Sequence, residues 1–290
     1  MQTAPESISP PQPILTLVKR LDDCWERYRL ELKRIRSEFA EEYVHDLRVA
    51  IRRLIAVMDL GRVITHQKKT KKSRKLLKSH LETFDRLRDT QVQLVIAEEM
   101  QAELPEIAAY RDRLREREKH QVLHLQKKIK EFSSAGLAKQ VNRLEAALLS
   151  KDIHESQAAL WAALDQSYAR VLQDQRAVRA DDAATIHHER LDFKKFRYRV
   201  ESIYSLLPDA PQDLLRRLHD YQAAMGEIQD AEVGLQMLDD FIAHSHADIP
   251  AVRARFVEMR QARIAAFIDQ MNSLQSFWRA ASDQRFPWEI

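Results

Sequence analysis

The chain is poor in residues that break helices and in residues that cross-link small domains. Its 290 residues include only four glycines, nine prolines and one cysteine. A single cysteine excludes an internal disulfide framework, which favours a reducing, cytoplasmic location. No apolar run approaches the roughly 20 residues that a membrane-spanning helix needs, so we expect no membrane association. The first stretch, MQTAPESISPPQP, lacks the basic start and apolar core of a signal peptide, and we expect residues 1–13 to be a disordered leader.

The chain is rich in charge and in good helix formers. Charged residues make up 31% of the sequence, and long stretches combine Ala, Leu, Glu, Lys, Arg and Gln, which lose little rotamer freedom in a helix. Prolines fall where helices should begin or end. We therefore predict an all-α protein. The expected helices cover about 14–36, 42–62, 70–87, 90–102 and 106–132, and then about 154–179, 184–206, 212–227, 231–246 and 250–280.

One basic helical stretch occurs twice, 142 residues apart. Residues 44–54 read VHDLRVAIRRL, and residues 186–196 read IHHERLDFKKF. A second block, LRDTQV at 87–92, recurs as IQDAEV at 228–233, an offset of 141. Two blocks at nearly one offset predict the duplication of a single unit of about 130 residues. We place the copies at about 14–135 and 154–282 within one domain (14–282), followed by a tail at 283–290.

Both copies of the basic stretch carry cations at the same helical angles. Successive residues lie 100° apart, so one side of each helix is apolar and another side carries a His-Arg-Arg or His-Arg-Lys stripe. From His45 to Arg52 the rise is about 10 Å, a track that suits a chain of anionic groups because these side chains all donate to phosphate oxygens. Alternatively, Arg48 and Lys194 only form salt bridges with acidic neighbours. The candidate anion contacts are His45, Arg48, Arg52 and Arg53 in the first copy, and His187, Arg190, Lys194, Lys195 and Arg197 in the second.

A second cluster of cations, between residues 66 and 78, is a competing surface. Residues 1–150 carry 30 Lys and Arg against 22 Asp and Glu, whereas residues 151–290 carry 17 against 22. This asymmetric charge attracts polyanions without specifying which one. A general polyanion or RNA binder is therefore the alternative function. The cluster consists of Lys68, Lys69, Lys71, Lys72, Arg74, Lys75 and Lys78.

The repeated motif resembles that of the CHAD domain (conserved histidine α-helical domain) family. In each copy a histidine is followed at i+3 by Arg and at i+7 by Arg or Lys, and an RD- or QD-type junction comes later. The resemblance covers about residues 14–282 and suggests a stand-alone member. It implies two pseudo-symmetric antiparallel helical bundles that enclose a basic central groove or pore and bind inorganic polyphosphate. Carried over, it assigns to the pore His45, Arg48, Arg52, His187, Arg190 and Lys194, joined by Arg88, Lys75 and Lys78.

Four positions depart from the family's pattern. Ile55 stands where a further basic residue is usual, and Asp85 stands where the first junction usually has glycine. Glu189 replaces an apolar residue. Gln229 replaces a cation at the second junction, which leaves that end of the expected site less positive.

Little in the sequence points to catalysis. A glycine-rich phosphate loop, an H-E-x-x-H zinc motif and metal-spaced cysteines are absent. Hydrolysis of a phosphoanhydride normally needs carboxylates that hold Mg²⁺, whereas Asp89 and Asp230 fall where a helix should restart and could cap its free amides. We therefore predict a noncatalytic polyphosphate-binding protein with no cofactor and no metal, cytoplasmic and associated with polyphosphate granules. Nucleic acid is a less favoured partner, and an enzyme acting on polyphosphate is a third possibility.

Overall fold

The computed structural model describes residues 12–67 and 70–289, and this part of the chain is helical without β-strands. The all-α prediction is confirmed. Most of the predicted leader, residues 1–11, lies outside the described residues, and Pro13 already begins the first helix. The α-helices of the described chain are α1 (Pro13–Ser37), α2 (Glu41–Thr65), α3 (Thr70–Thr83), α4 (Asp85–Met100), α5 (Ala108–Lys130), α6 (Ala135–Leu149), α7 (Ile153–Arg176), α8 (Ala183–Ile203), α9 (Leu214–Ser245) and α10 (Pro250–Gln270).

Local sequence signals account for where several helices begin. Pro13 and Pro250 occupy the first turn of α1 and α10, where a missing backbone N–H costs nothing. Asp152 accepts a hydrogen bond from the backbone N–H of Glu155 and caps α7, and Asp182 caps α8 through the N–H of Ala184. Short 3₁₀ turns at Pro105–Ile107, Tyr204–Leu206 and Met271–Ser276 complete the helical structure of the described residues.

The elements of the second half follow those of the first half in the same order and at nearly constant spacing. Helix α8 begins at Ala183, 142 residues after α2 begins at Glu41, and α10 follows α5 at the same interval. Helix α6 has no counterpart, and it occupies a stretch that the sequence analysis treated as a connection between the copies. Its buried residues Leu137, Val141, Leu144 and Leu148 repeat at helical spacing and pack on the main core.

The predicted break before Asp89 and Asp230 is wrong. Asp89 lies inside α4, and Asp230 lies inside α9, which runs without interruption from Leu214 to Ser245. Neither aspartate therefore caps a helix. In the first half the break falls earlier, at Phe84 between α3 and α4. Neither aspartate directly follows a proline or a residue with left-handed backbone angles, so nothing in the backbone ends a helix there.

Two apolar clusters hold the helices together. The main core takes residues from nearly every helix, whereas a smaller hairpin core joins the α4–α5 and α9–α10 connections. Helices α4, α5, α9 and α10 contribute to both clusters, and each carries polar residues between its two apolar segments. The hairpin core consists of Ile96, Ala97, Ile107, Tyr110, Leu114, Leu235, Leu238, Ile249, Val252 and Phe256.

The polar residues between the two cores form a polar layer that crosses α4, α5, α9 and α10. Gln91 donates to Glu118 at 3.1 Å, and Arg260 pairs with Glu232 at 3.3 Å. Gln93 donates to the backbone carbonyl of Asp230 at 2.7 Å and thereby ties α4 to α9. The layer consists of Asp89, Gln91, Gln93, Arg117, Glu118, Gln121, Gln229, Asp230, Glu232, Arg260 and Arg263.

The predicted tail packs onto the second half of the chain. Phe286 is 6% exposed and lies edge-on to Trp278, with their ring centroids 4.9 Å apart. Trp288 stacks on Phe286 and donates from Nε1 to the backbone carbonyl of Pro208 at 2.9 Å. Over the residues that the structure describes, no helix is both long enough and apolar enough to cross a bilayer.

The crossing of α4 and α9 depends on Gly234. A Cβ at this position would lie 2.9 Å from a ring carbon of Phe256 and would overlap the carboxamide of Gln93. We expect Gly234→Ala to lower the free energy of unfolding by about 1–3 kcal/mol, because the overlap outweighs the better helix propensity of alanine. Gly136→Ala is the control, since a Cβ there meets nothing within 4 Å. Urea denaturation measures both, and equal stability of the two variants would contradict the close crossing.

Candidate anion-binding site

Helices α2 and α8 pack against each other and bring the two basic stripes together. Arg48, Arg52 and Arg190 all lie close enough to Lys194 to oppose its protonation. On the apolar sides of the two helices, Ile51, Leu54, Phe193 and Phe196 are fully buried in the main core. The main core therefore holds the two stripes in place. Arg48, Arg52, Arg190 and Lys194 are called the cation cluster below.

Burial and mutual repulsion act on the members of the cation cluster. Burial, followed by the charges of Arg52 and Arg190, lowers the pKa of the Lys194 ammonium to about 6. Burial and then Arg48 lower the pKa of Arg52 to about 10. The pKa of Arg190 is lowered by burial, and the carboxylate of Asp230 opposes this shift. Such shifts arise when like charges share a partly dehydrated space, and they identify the cluster as a place where negative charge is in deficit.

Arg48 differs from the other three cations because it has a carboxylate partner. Its guanidinium lies 2.7 Å from Asp85, and the Arg48 residue is 7% exposed. Within the described residues, no ion pair joins Arg52, Arg190 or Lys194 to a carboxylate. The salt-bridge alternative considered for the sequence thus holds for Arg48 and fails for Lys194 over this part of the chain.

Several buried donors around the cluster have no hydrogen-bond acceptor among the described residues. They include the Nε atoms of Arg52 and Arg190. A buried donor without a partner costs about 1–3 kcal/mol, so an acceptor that enters the site would recover that free energy. Gly226 leaves room next to Arg190, because even an added Cβ would stay 3.8 Å from its Nε.

Carboxylates on α4 and α9 border the cluster on another side. Burial raises the pKa of Asp89, which Asp85 and Asp230 raise further, while Arg48 opposes the shift. Burial also raises the pKa of Asp230, and Arg190 is the strongest opposing charge. From the sequence, Asp89 and Asp230 could have been helix caps. Their recurrence instead places one carboxylate from each half of the chain beside the arginines.

Both motif histidines and Arg88 lie at the edge of the cluster. Partial burial of the imidazole, followed by the nearby charge of Arg88, lowers the pKa of His45. Burial also lowers the pKa of His187, whereas a hydrogen bond with Gln229 opposes this shift. Arg88 itself pairs with Glu41 at 2.8 Å, with about a third of its side chain exposed. Seven of the predicted site residues therefore lie in or beside one cluster.

The remaining predicted residues lie elsewhere. Arg53 pairs with Glu201 at 2.6 Å, and the exposed Lys195 pairs with Asp192. The guanidinium of Arg197 lies over the ring of Tyr198, 4.4 Å from its centroid. Lys68 and Lys69 of the competing cluster lie outside the described residues. Lys75 and Lys78 line a groove of about 350 Å³, called the α3 groove below, together with Arg62, Lys71 and Arg74.

Two acidic residues that the sequence analysis did not consider close the other end of the α2–α8 contact. Asp59 accepts from Arg74 at 3.0 Å, and Glu201 accepts from Arg20 at 2.8 Å. They are 142 residues apart and follow His45 and His187 by the same interval, so they extend the two stripes. Their repetition was the available signal that the basic stripes end in paired charge, beyond the section that holds Arg52, Arg190 and Lys194.

Glu189, one of the departures from the family pattern, has a structural role. Its side chain is fully buried in α8 and accepts a hydrogen bond from the Tyr221 hydroxyl at 2.7 Å. Burial raises the pKa of this carboxyl to about 7, which allows it to remain partly neutral inside the main core. No group of three or more His, Cys, Asp or Glu side chains within the described chain is arranged to hold a metal ion.

Comparison with known proteins agrees with this architecture. A model of the CHAD domain matches residues 19–239. The chain belongs to the CHAD domain family. Its fold is similar to the crystal structure of the CHAD domain from the plant Ricinus communis, with a TM-score of 0.62, 15% sequence identity and 98% of each chain covered. The sequence has no significant match among curated proteins. The family resemblance inferred from the two motifs is therefore confirmed.

The low pKa of Lys194 predicts a stability effect with a defined pH dependence. Unfolded chains keep this lysine protonated up to about pH 10.5, whereas the folded CHAD domain releases the proton above about pH 6. The unfolded state thus binds more protons between these values, and this residue's contribution to stability rises with pH in that window. We expect Lys194→Met to raise the free energy of unfolding at pH 6 by about 1–4 kcal/mol, and by less at pH 9.

Lys195→Met is the matched control, since Lys195 is the adjacent residue with an exposed side chain. Its replacement should change stability by less than about 0.5 kcal/mol at either pH. Urea denaturation at pH 6 and pH 9 measures both variants. An equal gain for the two variants, or a gain for Lys194→Met that does not depend on pH, would contradict the burial of an unpaired cation.

Proposed function

We propose that this CHAD domain binds inorganic polyphosphate at the cation cluster and does not turn it over. The observation that carries the proposal is that Arg52, Arg190 and Lys194 share a confined space without carboxylate partners among the described residues. Membership of the CHAD family supports the same ligand class. A polyanion would supply the missing negative charge and also acceptors for the buried donors.

The shape of the cluster favours an extended anion over a single phosphate. The cations come from two packed helices, and each stripe extends over about 10 Å from its histidine to its last cation. Arg52 and Arg190 can each donate to two oxygens through the planar guanidinium, while Lys194 acts as a point charge. His45, His187 and Arg88 at the edge would contact phosphates that leave the enclosed part of the site.

Binding of an anion should be accompanied by proton uptake. Lys194 is largely neutral at pH 7 because its pKa is about 6 in the free protein. Phosphate oxygens nearby favour the ammonium form, so the bound state would take up a proton from solution. The cations that repel one another in the free site would then each be attracted to the bound anion.

The α3 groove supports a second candidate function, general binding of polyanions such as RNA. Lys71, Lys75 and Lys78 are exposed around it. Arg62 and Arg74 on its walls are partly neutralised by Asp59, which lies 3.0 Å from Arg74. Exposed lysines in water mainly speed encounter with a polyanion and discriminate little between ligands. We therefore favour the cation cluster as the specific site.

We propose a binding role, in the cytoplasm and on polyphosphate granules, over an enzymatic one. Catalysis on a phosphoanhydride would need carboxylates that hold a divalent metal. Asp85 is engaged by Arg48, and the pKa values of Asp89 and Asp230 are raised, which makes these two carboxyls poorer metal ligands.

Competition binding tests the proposed ligand. Labelled long-chain polyphosphate is bound to the purified protein and displaced with unlabelled polyphosphate, RNA or duplex DNA, matched in charge and at one fixed salt concentration. We expect polyphosphate to displace the label at least tenfold better than either nucleic acid. Equal displacement by RNA would refute selectivity, whereas salt dependence alone would not distinguish the ligands. The same samples, incubated with Mg²⁺ and analysed for chain length, should show no shortening.

Paired double variants test the proposed location. Arg52→Gln with Arg190→Gln should weaken polyphosphate binding at least tenfold, because each removes directional contacts in a partly enclosed site. Lys71→Gln with Lys75→Gln, in the α3 groove, also removes two charges and should weaken binding about threefold or less, since exposed charges are screened. Neither protein should lose thermal stability, because none of the four side chains is ion-paired in the described chain and the Arg52→Gln and Arg190→Gln changes relieve repulsion within the cluster. Equal losses would favour the α3 groove.

A further inference from the structure

The cation cluster has one carboxylate in direct contact with it. Among the described residues, Asp85 is the acidic side chain that forms an ion pair with a member of the cluster, and its Oδ1 lies 2.7 Å from Nη1 of Arg48. The side chain of Arg48 is 9% exposed, whereas that of Asp85 is 49% exposed. The contact, called the Arg48–Asp85 pair below, therefore joins an enclosed cation to a carboxylate at the border with solvent.

The Arg48–Asp85 pair uses a single nitrogen of the guanidinium. The same Nη1 atom also donates to the backbone carbonyl of Leu81 at 3.4 Å. Within the part of the chain that the structure describes, Nη2 and Nε of Arg48 have no acceptor, and neither atom is fully buried. By contrast, Arg279 holds Asp165 through two nitrogens, at 3.0 and 2.8 Å. Arg48 therefore keeps accessible donors for a second anion.

The charge of Asp85 acts on more of the cluster than Arg48 alone. Burial and then Arg48 lower the pKa of Arg52, and the carboxylate of Asp85 opposes this shift. Burial, followed by Arg52 and Arg190, lowers the pKa of Lys194, and Asp85 again acts in the opposite direction. An anion that enters the cluster would interact with the same cations. Asp85 and the anion therefore compete for the same positive charge, and they repel each other when both are present.

The position of Asp85 allows its carboxylate to leave Arg48 at low cost. Asp85 is the first residue of α4, and the N-terminal end of a helix favours negative charge. Because half of its side chain is already exposed, the carboxylate can turn into water and remain hydrated. Arg48 has no such freedom, since its side chain is enclosed at the α2–α8 contact. The carboxylate is therefore the mobile partner of the pair.

We propose that Asp85 is an internal competitor of the ligand, and that a bound polyphosphate chain displaces it from Arg48. This inference rests on the proposed function and concerns the regulation of the same site. In the free protein, Asp85 keeps Arg48 paired and partly neutralises the cluster. When polyphosphate enters, a phosphate oxygen replaces the carboxylate at Arg48, and Asp85 turns towards solvent. Breaking the pair costs free energy, so Asp85 makes binding weaker and more easily reversed.

Removal of the Asp85 charge tests the competition. We expect Asp85→Asn to bind long-chain polyphosphate about fivefold or more tightly than the wild-type chain at one fixed salt concentration, because no charged pair has to be broken. Asp239→Asn is the matched control, since Asp239 also lies 2.7 Å from an arginine, Arg253, but near the hairpin core. Its affinity should change by less than about twofold.

A second neutral variant and a folding measurement accompany this comparison. Asp85→Ser also removes the charge, and serine is well tolerated at the start of a helix. It should bind polyphosphate as tightly as Asp85→Asn. Circular dichroism and thermal unfolding identify the variants that are folded. Affinity equal to that of the wild-type chain in a folded neutral variant would overturn the competition.

A double-mutant cycle separates displacement from simple repulsion. If the chain takes Arg48 away from Asp85, Arg48→Gln should weaken binding about fivefold more in the Asp85→Asn background than in the wild-type background, where the gain from the new contact is offset by the broken pair. If Asp85 stays paired and only repels the ligand, the two changes should be additive. Additive effects on affinity would therefore overturn the displacement.

The cation-cluster variant, Arg52→Gln with Arg190→Gln, distinguishes this inference from the proposed function. Loss of polyphosphate binding in that variant, together with wild-type affinity in Asp85→Asn, would leave the site in place and refute the internal competitor. Wild-type binding in the cation-cluster variant would refute the site itself, and with it the role of Asp85.

Discussion

Repulsion between like charges on two tightly packed helices is the constraint on which the site depends. Arg52 and Arg190 cannot move apart, because the opposite faces of α2 and α8 are fixed in the main core by side chains such as Leu54 and Phe196. Removing unpaired cations from water costs free energy that only apolar packing can offset here. The free protein therefore has an unfavourable electrostatic free energy at the proposed binding site, and a bound anion would reduce it.

Acidic residues near the ends of the two stripes determine which cations have a carboxylate partner. Asp59 and Glu201 neutralise the far ends of the two stripes, whereas Asp85 engages only Arg48 at the near end. Arg52, Arg190 and Lys194 therefore lie in the section of the α2–α8 contact between these two sets of paired charge. The polar layer continues from this section across α4, α5, α9 and α10, and it separates the main core from the hairpin core. Polar side chains in that layer therefore lie between the cation cluster and the hairpin core.

Sequence periodicity was sufficient for the helical class, the family and the central cations. The stripes of His45 and His187 could be recognised because helical angles follow directly from spacing. Which cations lack partners could not be predicted, since this depends on where Asp85 and Glu201 lie in three dimensions. Helix α6 was missed although Leu137, Val141, Leu144 and Leu148 have helical spacing, because the stretch fell between the two copies. The helix breaks predicted at Asp89 and Asp230 were wrong because they rested only on the N-cap preference of aspartate, and no helix-ending residue directly precedes either position.

Two helices, α3 and α4, correspond to the single helix α9, and this difference affects how distances are fixed in the two halves of the chain. In the first half the helix is interrupted at Phe84, immediately before Asp85, so two separate helices, α3 and α4, cover the corresponding stretch. In the second half one unbroken helix carries both Asp230 and Phe241, which are about 16 Å apart along its axis. Helix α9 therefore fixes the distance between the cation cluster and the hairpin core as a single rigid element, whereas the first half divides the same span between two helices.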